Sequence, residues 1–518
     1  MMQPQTRSDD NPFARSQAAF EGLCTRLRGR DAFAMSHADV ERLLASEGRD
    51  ILRQLFQDHL DLRGAHEQAA PRLRVVGDDD IERPHHRDAT RDLRTRFGDV
   101  VVPRIGYGQR GASSRFPMDA ALNLPRDGFS LGLRHVVALT VATAAFEESI
   151  AQIEATTGTR VAKRQAETLA RAATQNFDTF YAQRQAPSAT ETSSLLVMST
   201  DGKGIVVRLE DLRPATRKAA AKKPKPKLKT RLSKGEKKYR KRMSTVAAVY
   251  TVAPHIRTAD DLLSDLLHET PPEQRRRPRP EHKRVWASLA KEPELVIAEM
   301  FDEAERRDPQ HRKLWVVVVD GNKDQLAIIK KEAARRSVSV TIVLDFVHVL
   351  QYLWAASTAF HDETAPDRED WVLERLQAIL CGKAVDVAAG MRRSATLRSL
   401  NTKARVPVDD CADYLLEYKA YLKYDQYLQI GFPVASGVIE GACRHLVNDR
   451  MDLSGAHWSL AGAEAVLKLR ALKSSGDFAE YWTFHEQSEF KRNHADNYSG
   501  AVPVPGLPPG RPRLRLVK

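Results

Sequence analysis

Two apolar runs in this chain close on the same phrase. Residues 195–205 read LLVMSTDGKGI and residues 314–324 read LWVVVVDGNKD, so each run delivers an aspartate, Asp201 and Asp320, followed at once by glycine. A carboxylate at the rim of a buried strand is a hard oxygen donor on a rigid support. Two of them at the edge of one sheet predict a shared cation site. The third acid is Glu440, which stands in the otherwise apolar stretch FPVASGVIEGAC, residues 432–443. An ionised carboxylate in such surroundings is costly unless it is paired or bound to a metal. The alternative to a metal is an ion pair with Arg444, one helical turn on. Three such acids can share two divalent ions ~4 Å apart and leave positions open for the attacking and leaving oxygens of a phosphodiester. Oxygen donors suit Mg2+, with Mn2+ as a substitute.

Asp345 and His348, in VLDFVHVLQYLW (343–354), form a second polar pair where an apolar strand passes into a helix. Asp345 ends its strand as Asp320 does and competes for the same role. Its other assignment is a helix N-cap with His348 satisfied in the first turn, and Asp320 ranks first as the ligand. No third or fourth soft ligand lies near the pair, which counts against zinc. Lys203, two residues past Asp201, is placed to meet a phosphate. Trp458, in SGAHWSLAGAE, suits either stacking on an unpaired base or burial in a core.

The formal net charge is +13, and it is local: from Arg217 to Arg242 fourteen Lys/Arg stand against one Glu, so the rest of the chain balances. A Lys/Pro-rich arm of that density favours a polyphosphate partner, because each neutralised phosphate releases a condensed counterion. Lys222, Lys223, Lys237, Lys238, Arg240, Lys241 and Arg242 are its candidate contacts. A solvated linker is the plainer reading. No apolar run approaches the ~20 residues needed to span a bilayer, and the N-terminus lacks the apolar core of a signal peptide, so a cytoplasmic, nucleoid-associated protein with no membrane partner is expected. Cys24, Cys381, Cys411 and Cys443 are scattered without a Cys-x-x-Cys pair, which argues against a disulfide framework or a zinc ribbon.

The elements that must position these residues follow from periodicity. SHADVERLLASEGRDILRQLFQDHLDLR (36–63) predicts an amphipathic helix or helix pair with Ser36 and Asp39 as a capping box. Residues 64–92 read as irregular, and 95–110 as a small hairpin around Gly98-Asp99. Residues 146–173 have the outline of a helix-turn-helix: a helix to about Ala155, a Thr-Thr-Gly turn, and a second helix capped by Thr159. Arg160, Lys163, Arg164 and Gln165 would then stand where a recognition helix presents its reading residues. Beyond Ser193 the rhythm changes to Val/Ile runs at 195–201, 244–252, 314–320 and 340–346, separated by helices at 282–306, 323–335 and 347–360. That pattern marks a central sheet covered on both faces. Residues 362–430 are helical, and Tyr414, Tyr418, Tyr421, Tyr424 and Tyr427 read as one packed face. A last helix begins near Ser436, and the tail is Pro-rich.

The expected fold class is α/β. Strand-end acids of this kind are the parts of an RNase-H-like two-metal core, here containing an all-α stretch and preceded by a mostly helical N-terminal DNA-binding region. The divisions are 1–92, helical and irregular; 93–190, hairpin and helix-turn-helix; 191–361, the first part of the core, with the basic arm 213–243; 362–430, the helical insertion; 431–490, the Glu-bearing part; and 491–518, a disordered tail.

The order STDGKG (199–204), KGEKKYRKRMSTVAAVY (234–250), VVVDGNK (317–323), DFVHVLQYLW (345–354) and SGVIEGACRHLVNDRMDLSGAHWSLAGAEAVLKLRAL (436–472) carries a resemblance. It is similar to bacterial insertion-sequence transposases of the ISKra type, which belong near the Mutator-like DDE transposases. FPMDAALNLPRDGFSLGLR (116–134) resembles that family too, and the likeness covers roughly 90–490. It implies that Asp201, Asp320 and Glu440 are the catalytic, metal-holding acids. It also implies that Asp345 and His348 match the family's Asp/Cys-x-x-His signature, and that the helical stretch 362–430 is an insertion domain between the last strand and the Glu-bearing helix. The activity implied is metal-dependent cleavage and strand transfer at the element's ends. The partners implied are terminal inverted repeats and target DNA, bound by a homodimer or larger assembly. A nuclease or resolvase without strand transfer and an inactivated DNA-binding regulator are the alternatives.

Overall fold

The computed structural model describes residues 11–222, 240–269, 277–452 and 456–505. The chain divides into two units, Met1–Ala182 with Phe478–Lys518, and Gln183–Asp477. No described helix is long and apolar enough to cross a membrane.

In the first unit the helix His37–Ala69 runs unbroken for 33 residues. Ser36 caps it as the sequence predicts, its Oγ accepting the Asp39 N–H at 3.2 Å. Its apolar stripe, through Phe56 and Leu60, packs on Leu93, Val100, Val102 and Met118. Those four come from β1 (His85–Thr95), β2 (Gly98–Gln109) and the segment after β3 (Ala112–Arg115), an antiparallel sheet in the order β1-β2-β3. The hairpin is longer than the expected 95–110 and its turn falls earlier, at Arg96-Phe97, with Gly98 at φ +123°. The first residues of β1 are exposed and charged and carry no apolar alternation, which hid the strand inside 64–92.

Helices Leu131–Val141, Phe146–Thr157 and Lys163–Ala172 pack on one another in the same unit. The unit is completed by the helix Phe478–Asn493, whose Tyr481 hydroxyl donates to the Ala173 carbonyl at 2.6 Å. The expected disordered tail 491–518 is corrected in its first part: Tyr498 is buried against Val75, Ile105 and Tyr107. Burial of that ring favours order in the residues around it. Residues 506–518 lie outside the described residues.

The second unit is built on a five-stranded mixed sheet, β4 (Leu195–Val206), β5 (Lys241–Val252), β6 (Glu281–Ser288), β7 (Leu314–Val319) and β8 (Val340–Leu344), in the order β6-β5-β4-β7-β8. β4, β5 and β6 form an antiparallel meander, and β7 and β8 extend it in parallel with β4. The first six residues of β4 and the last five of β7 are all buried, as strands covered on both faces require. The helix expected over 282–306 is in fact β6 followed by the helix Pro293–Arg307. Pro293 at its first turn marks the true start, since proline is tolerated there and not further in. Residues 362–430 fold as the helices Asp367–Leu380, Ala384–Leu397, Thr402–Glu417 and Tyr424–Ile430 with a short 3-10 turn, as expected for an all-α segment.

Candidate functional site

Strand register places the three aspartates in or just past neighbouring strands. The last paired rows are Ser199 with Val318 between β4 and β7, and Val319 with Leu344 between β7 and β8. By the same offsets Asp201, within β4, stands opposite the position of Asp320, the first residue past β7, and Asp320 opposite Asp345, the first residue past β8. The helix Gly437–Ala442 lies beside these aspartates: Cys443 Sγ donates to Asp201 Oδ2 at 3.1 Å, and the Ser436 N–H donates to Asp345 Oδ2 at 3.1 Å.

Asp201 does not end its strand. β4 continues to Val206 because β5 keeps pairing with it, through Val206 opposite Lys241. Asp201 therefore sits where β7 stops and β4 goes on, half-buried beside the free end of its neighbour. Lys203, two residues on and so on the same face, places Nζ 3.3 Å from Asp201 Oδ2. Burial works against the Lys203 charge, but attraction to Asp201 and the hydrogen bond to it prevail and raise its pKa. Burial, with Asp201 adding to it, pushes the Cys443 thiol far up, so it stays protonated and donates.

Asp320 is the first residue after β7, as expected, and its Oδ1 accepts the Asn322 N–H at 2.9 Å. Asn322 in turn caps the helix Lys323–Arg336, accepting from Asp324 and Gln325. Asp345 is fully buried. It caps the helix Phe346–Ser357, with Oδ1 accepting the Val347 N–H at 2.8 Å, and its Oδ2 also accepts from the Ser436 hydroxyl.

Glu440 corrects the sequence argument. Its neighbours Ile439, Ala442 and Cys443 turn inward, while Glu440 is exposed, so no buried charge has to be compensated there. Arg444 faces Asp449 at 3.7 Å rather than Glu440. After Ala442 the helix widens into a π-turn, Cys443–Asn448, a form that recurs at functional sites. Ligand atoms of Asp345, His348 and Glu440 lie within 4.8 Å of one another, a grouping that does not include Asp201 or Asp320. Two carboxylates with one imidazole suit Mn2+ or a softer divalent ion better than Mg2+, for which Asp201, Asp320 and Glu440 offer oxygen donors alone.

The remaining candidates separate. Trp458 is buried, donates Nε1–H to the Met451 carbonyl at 3.0 Å and lies under Arg450, so its ring is packed rather than offered to a base. Thr159 is not a cap; it is buried and its hydroxyl donates to the Thr95 carbonyl at 2.8 Å. The first of the two helices ends instead at Gly158, φ +69°, and the second begins at Lys163, where the Gln165 side chain accepts the Ala162 N–H at 3.2 Å. Arg160, Lys163 and Arg164 are exposed at that start, with Lys163 paired to Glu147. Of the basic arm, Lys223, Lys237 and Lys238 lie outside the described residues. Lys222 is exposed and Arg240 half-buried. Lys241 meets Asp452 at 3.3 Å. Arg242 donates to the carbonyls of Leu289 (2.8 Å) and Asp211 (3.0 Å), which ties it to the scaffold.

Sequence reasoning missed Ser436, Cys443 and the tyrosine hydroxyls as members of this neighbourhood. The tyrosine spacing was visible; the carbonyls those hydroxyls reach were not.

No protein-family model and no curated protein matches this chain. Among solved structures, a Drosophila P element transposase strand transfer complex is similar at 8% identity, over 67% of this chain and 79% of that one, with a TM-score of 0.24. A likeness that slight leaves the function to be argued from the residues.

Proposed function

We propose that this protein is a DNA transposase with an RNase-H-like core. In this reading Asp201, Asp320 and Glu440 hold divalent cations, and the chain cleaves the ends of its element and joins them to target DNA. The observation that carries the reading is the placement of Asp201 in β4 and of Asp320 and Asp345 just past the ends of β7 and β8, with Cys443, three residues past Glu440, bonded to Asp201. A three-strand meander extended by two parallel strands, with acids at the parallel ends, supports the core assignment. Bound Mg2+ or Mn2+ would supply Lewis acidity and charge neutralisation for phosphodiester chemistry. The residues supply the rest. Asp201 and Asp320 present oxygens from rigid strands, and Asn322 orients Asp320. Lys203 leaves Asp201 for a phosphate oxygen when DNA arrives. Arg160 and Arg164 with the arm from Lys222 to Arg240 bind backbone phosphates. Asp345 is the cap and orienting group, because its oxygens already accept from Val347 and Ser436. The protein acts in the cytoplasm as a dimer or larger assembly on DNA.

The test uses duplexes taken from the DNA flanking the gene, incubated with the full chain in Mg2+, Mn2+ or EDTA. Cleavage at a fixed position, joining to a second duplex, and loss of both in EDTA are expected. Cleavage without joining assigns a nuclease, and binding without cleavage assigns a regulator.

A further inference from the structure

The helical segment between β8 and Glu440 meets the acid-bearing strand ends through four tyrosine hydroxyls. Tyr414 donates to the Asp320 carbonyl at 3.1 Å and Tyr418 to the Gly321 carbonyl at 2.7 Å. Tyr424 donates to the Leu344 carbonyl at 2.7 Å and Tyr427 to the Ile342 carbonyl at 3.3 Å. All four rings are buried. The pairing is regular: residues one helical turn apart, 414 and 418, take consecutive carbonyls after β7, and 424 and 427 take carbonyls along the edge strand β8.

Satisfying buried carbonyls would by itself explain the contacts. The first pair does more, because of what lies on the held peptide. Asp320 and Gly321 are the two residues whose orientation decides where the Asp320 carboxylate points. Gly321 sits at φ +95°, a backbone conformation that suits glycine, and a Cβ there would stand 3.1 Å from Leu344 Cδ1 and 3.4 Å from the Tyr414 hydroxyl, so the turn packs closely on Leu344 and Tyr414. Tyr352 stacks on Tyr414 with centroids 4.0 Å apart and fixes that ring in turn.

We propose that Tyr414 and Tyr418 are positioning residues for the metal site, holding the Asp320–Gly321 peptide so that the Asp320 carboxylate faces Asp201. The proposal rests on Asp320 being a ligand. Tyr424 and Tyr427 serve β8 and have no part in it.

The experiment compares Tyr418→Phe, Tyr414→Phe, Tyr427→Phe and Asp320→Asn in the full chain, measuring Mn2+ affinity by calorimetry or by electron paramagnetic resonance without DNA, together with the thermal midpoint. Each Tyr→Phe change keeps the ring and removes one hydroxyl. Tyr418→Phe is expected to weaken Mn2+ on the order of tenfold, as loss of an outer-shell partner does, and Tyr414→Phe less, its bond being longer. Tyr427→Phe should lower the thermal midpoint by less, its bond being longer still, with Mn2+ affinity unchanged. In cleavage assays the Tyr418→Phe defect should appear as a higher Mg2+ requirement and be recovered at saturating metal. Equal Mn2+ affinity in Tyr418→Phe, Tyr414→Phe and the parent would overturn the proposal and leave a structural role only; if Tyr418→Phe does not fold, Tyr414→Phe alone decides. Unchanged Mn2+ affinity in Asp320→Asn is a different failure: it removes Asp320 from the site and with it the reading on which the proposal rests.

Discussion

The Cys443 thiol donates to the Asp201 carboxylate across 3.1 Å, which fixes the helix bearing Glu440 against the middle of β4. The contact has a chemical consequence. Burial and the adjacent carboxylate keep the thiol protonated, and only a thiolate alkylates at a useful rate. Treated with iodoacetamide at pH 8, the folded protein should label at exposed Cys381 and leave Cys443 on the order of a hundredfold slower. Labelling of both at one rate, read by peptide mass spectrometry, would mean that this helix opens away from β4 and that Glu440 does not stay near Asp201.

Asp320 and Asp345 should respond oppositely to the same isosteric change. Asparagine at 320 keeps the oxygen that accepts from Asn322 and loses the charge, so urea stability should move by less than about 1 kcal/mol. DNA cleavage should fall by several orders of magnitude, since cation binding goes with the charge. Asparagine at 345 places an amide against donors from Val347 or Ser436 in a fully buried site. That costs about 1–3 kcal/mol, a lower urea midpoint. As a cap alone Asn would be equivalent to Asp; Ser436 is what changes the expectation. An active Asp320→Asn protein would move the ligand role to Asp345, with His348 and Glu440 beside it.

A second buried acid sets the acid limit of stability. Glu303 accepts from Arg284 at 2.5 Å and from Arg307 at 2.7 Å, with Arg306 also in contact, and so ties the helix Pro293–Arg307 to β6. Burial alone would raise its pKa, but the three guanidinium groups outweigh it and hold the carboxyl at about 2. A carboxyl with a depressed folded pKa contributes its full stabilisation above the ordinary value of 4.5 and loses it as pH falls toward 2. The contribution is on the order of 3 kcal/mol. Glu303→Gln should therefore be less stable than the parent at pH 7, with the gap closing between pH 4.5 and 2.5. A gap that stays constant over that window would mean that the charge of Glu303 is not what the arginines hold.

What the sequence made legible, and what it did not, divides along physical lines. Strand cores announced themselves because Val/Ile runs buried on both faces leave few alternatives, and β4, β7 and β8 were all visible. β6 was lost because only its second half is apolar and a strong helix follows after an interval of four residues. The Asp345 cap was readable since it acts within two residues, on Val347. Its Ser436 partners, ninety-one residues away, were not. Glu440 was misread as buried because its neighbours are apolar; a helix only needs apolar residues on one side.

Arginines of equal charge should part in their effect on DNA binding. Arg242 spends its guanidinium on the carbonyls of Leu289 and Asp211, joining the start of β5 to neighbouring loops. Burial lowers its pKa, the mark of a guanidinium taken out of water. Removing it by Arg242→Ala should lower stability by roughly 1–3 kcal/mol for the carbonyls left bare, and should leave the salt dependence of DNA binding where it was. Arg160 and Arg164 stand exposed at the start of the helix Lys163–Ala172. Replacing either by alanine should spare stability and flatten the log–log salt slope by about one unit each. Lys163→Ala should change the slope less than its neighbours do, because Glu147 already neutralises that charge. Fluorescence anisotropy over a series of KCl concentrations reads all four slopes. A slope reduced by Arg242→Ala to the same degree as by Arg164→Ala would show that Arg242 leaves its carbonyls for phosphate, and would make the start of β5 part of the DNA surface.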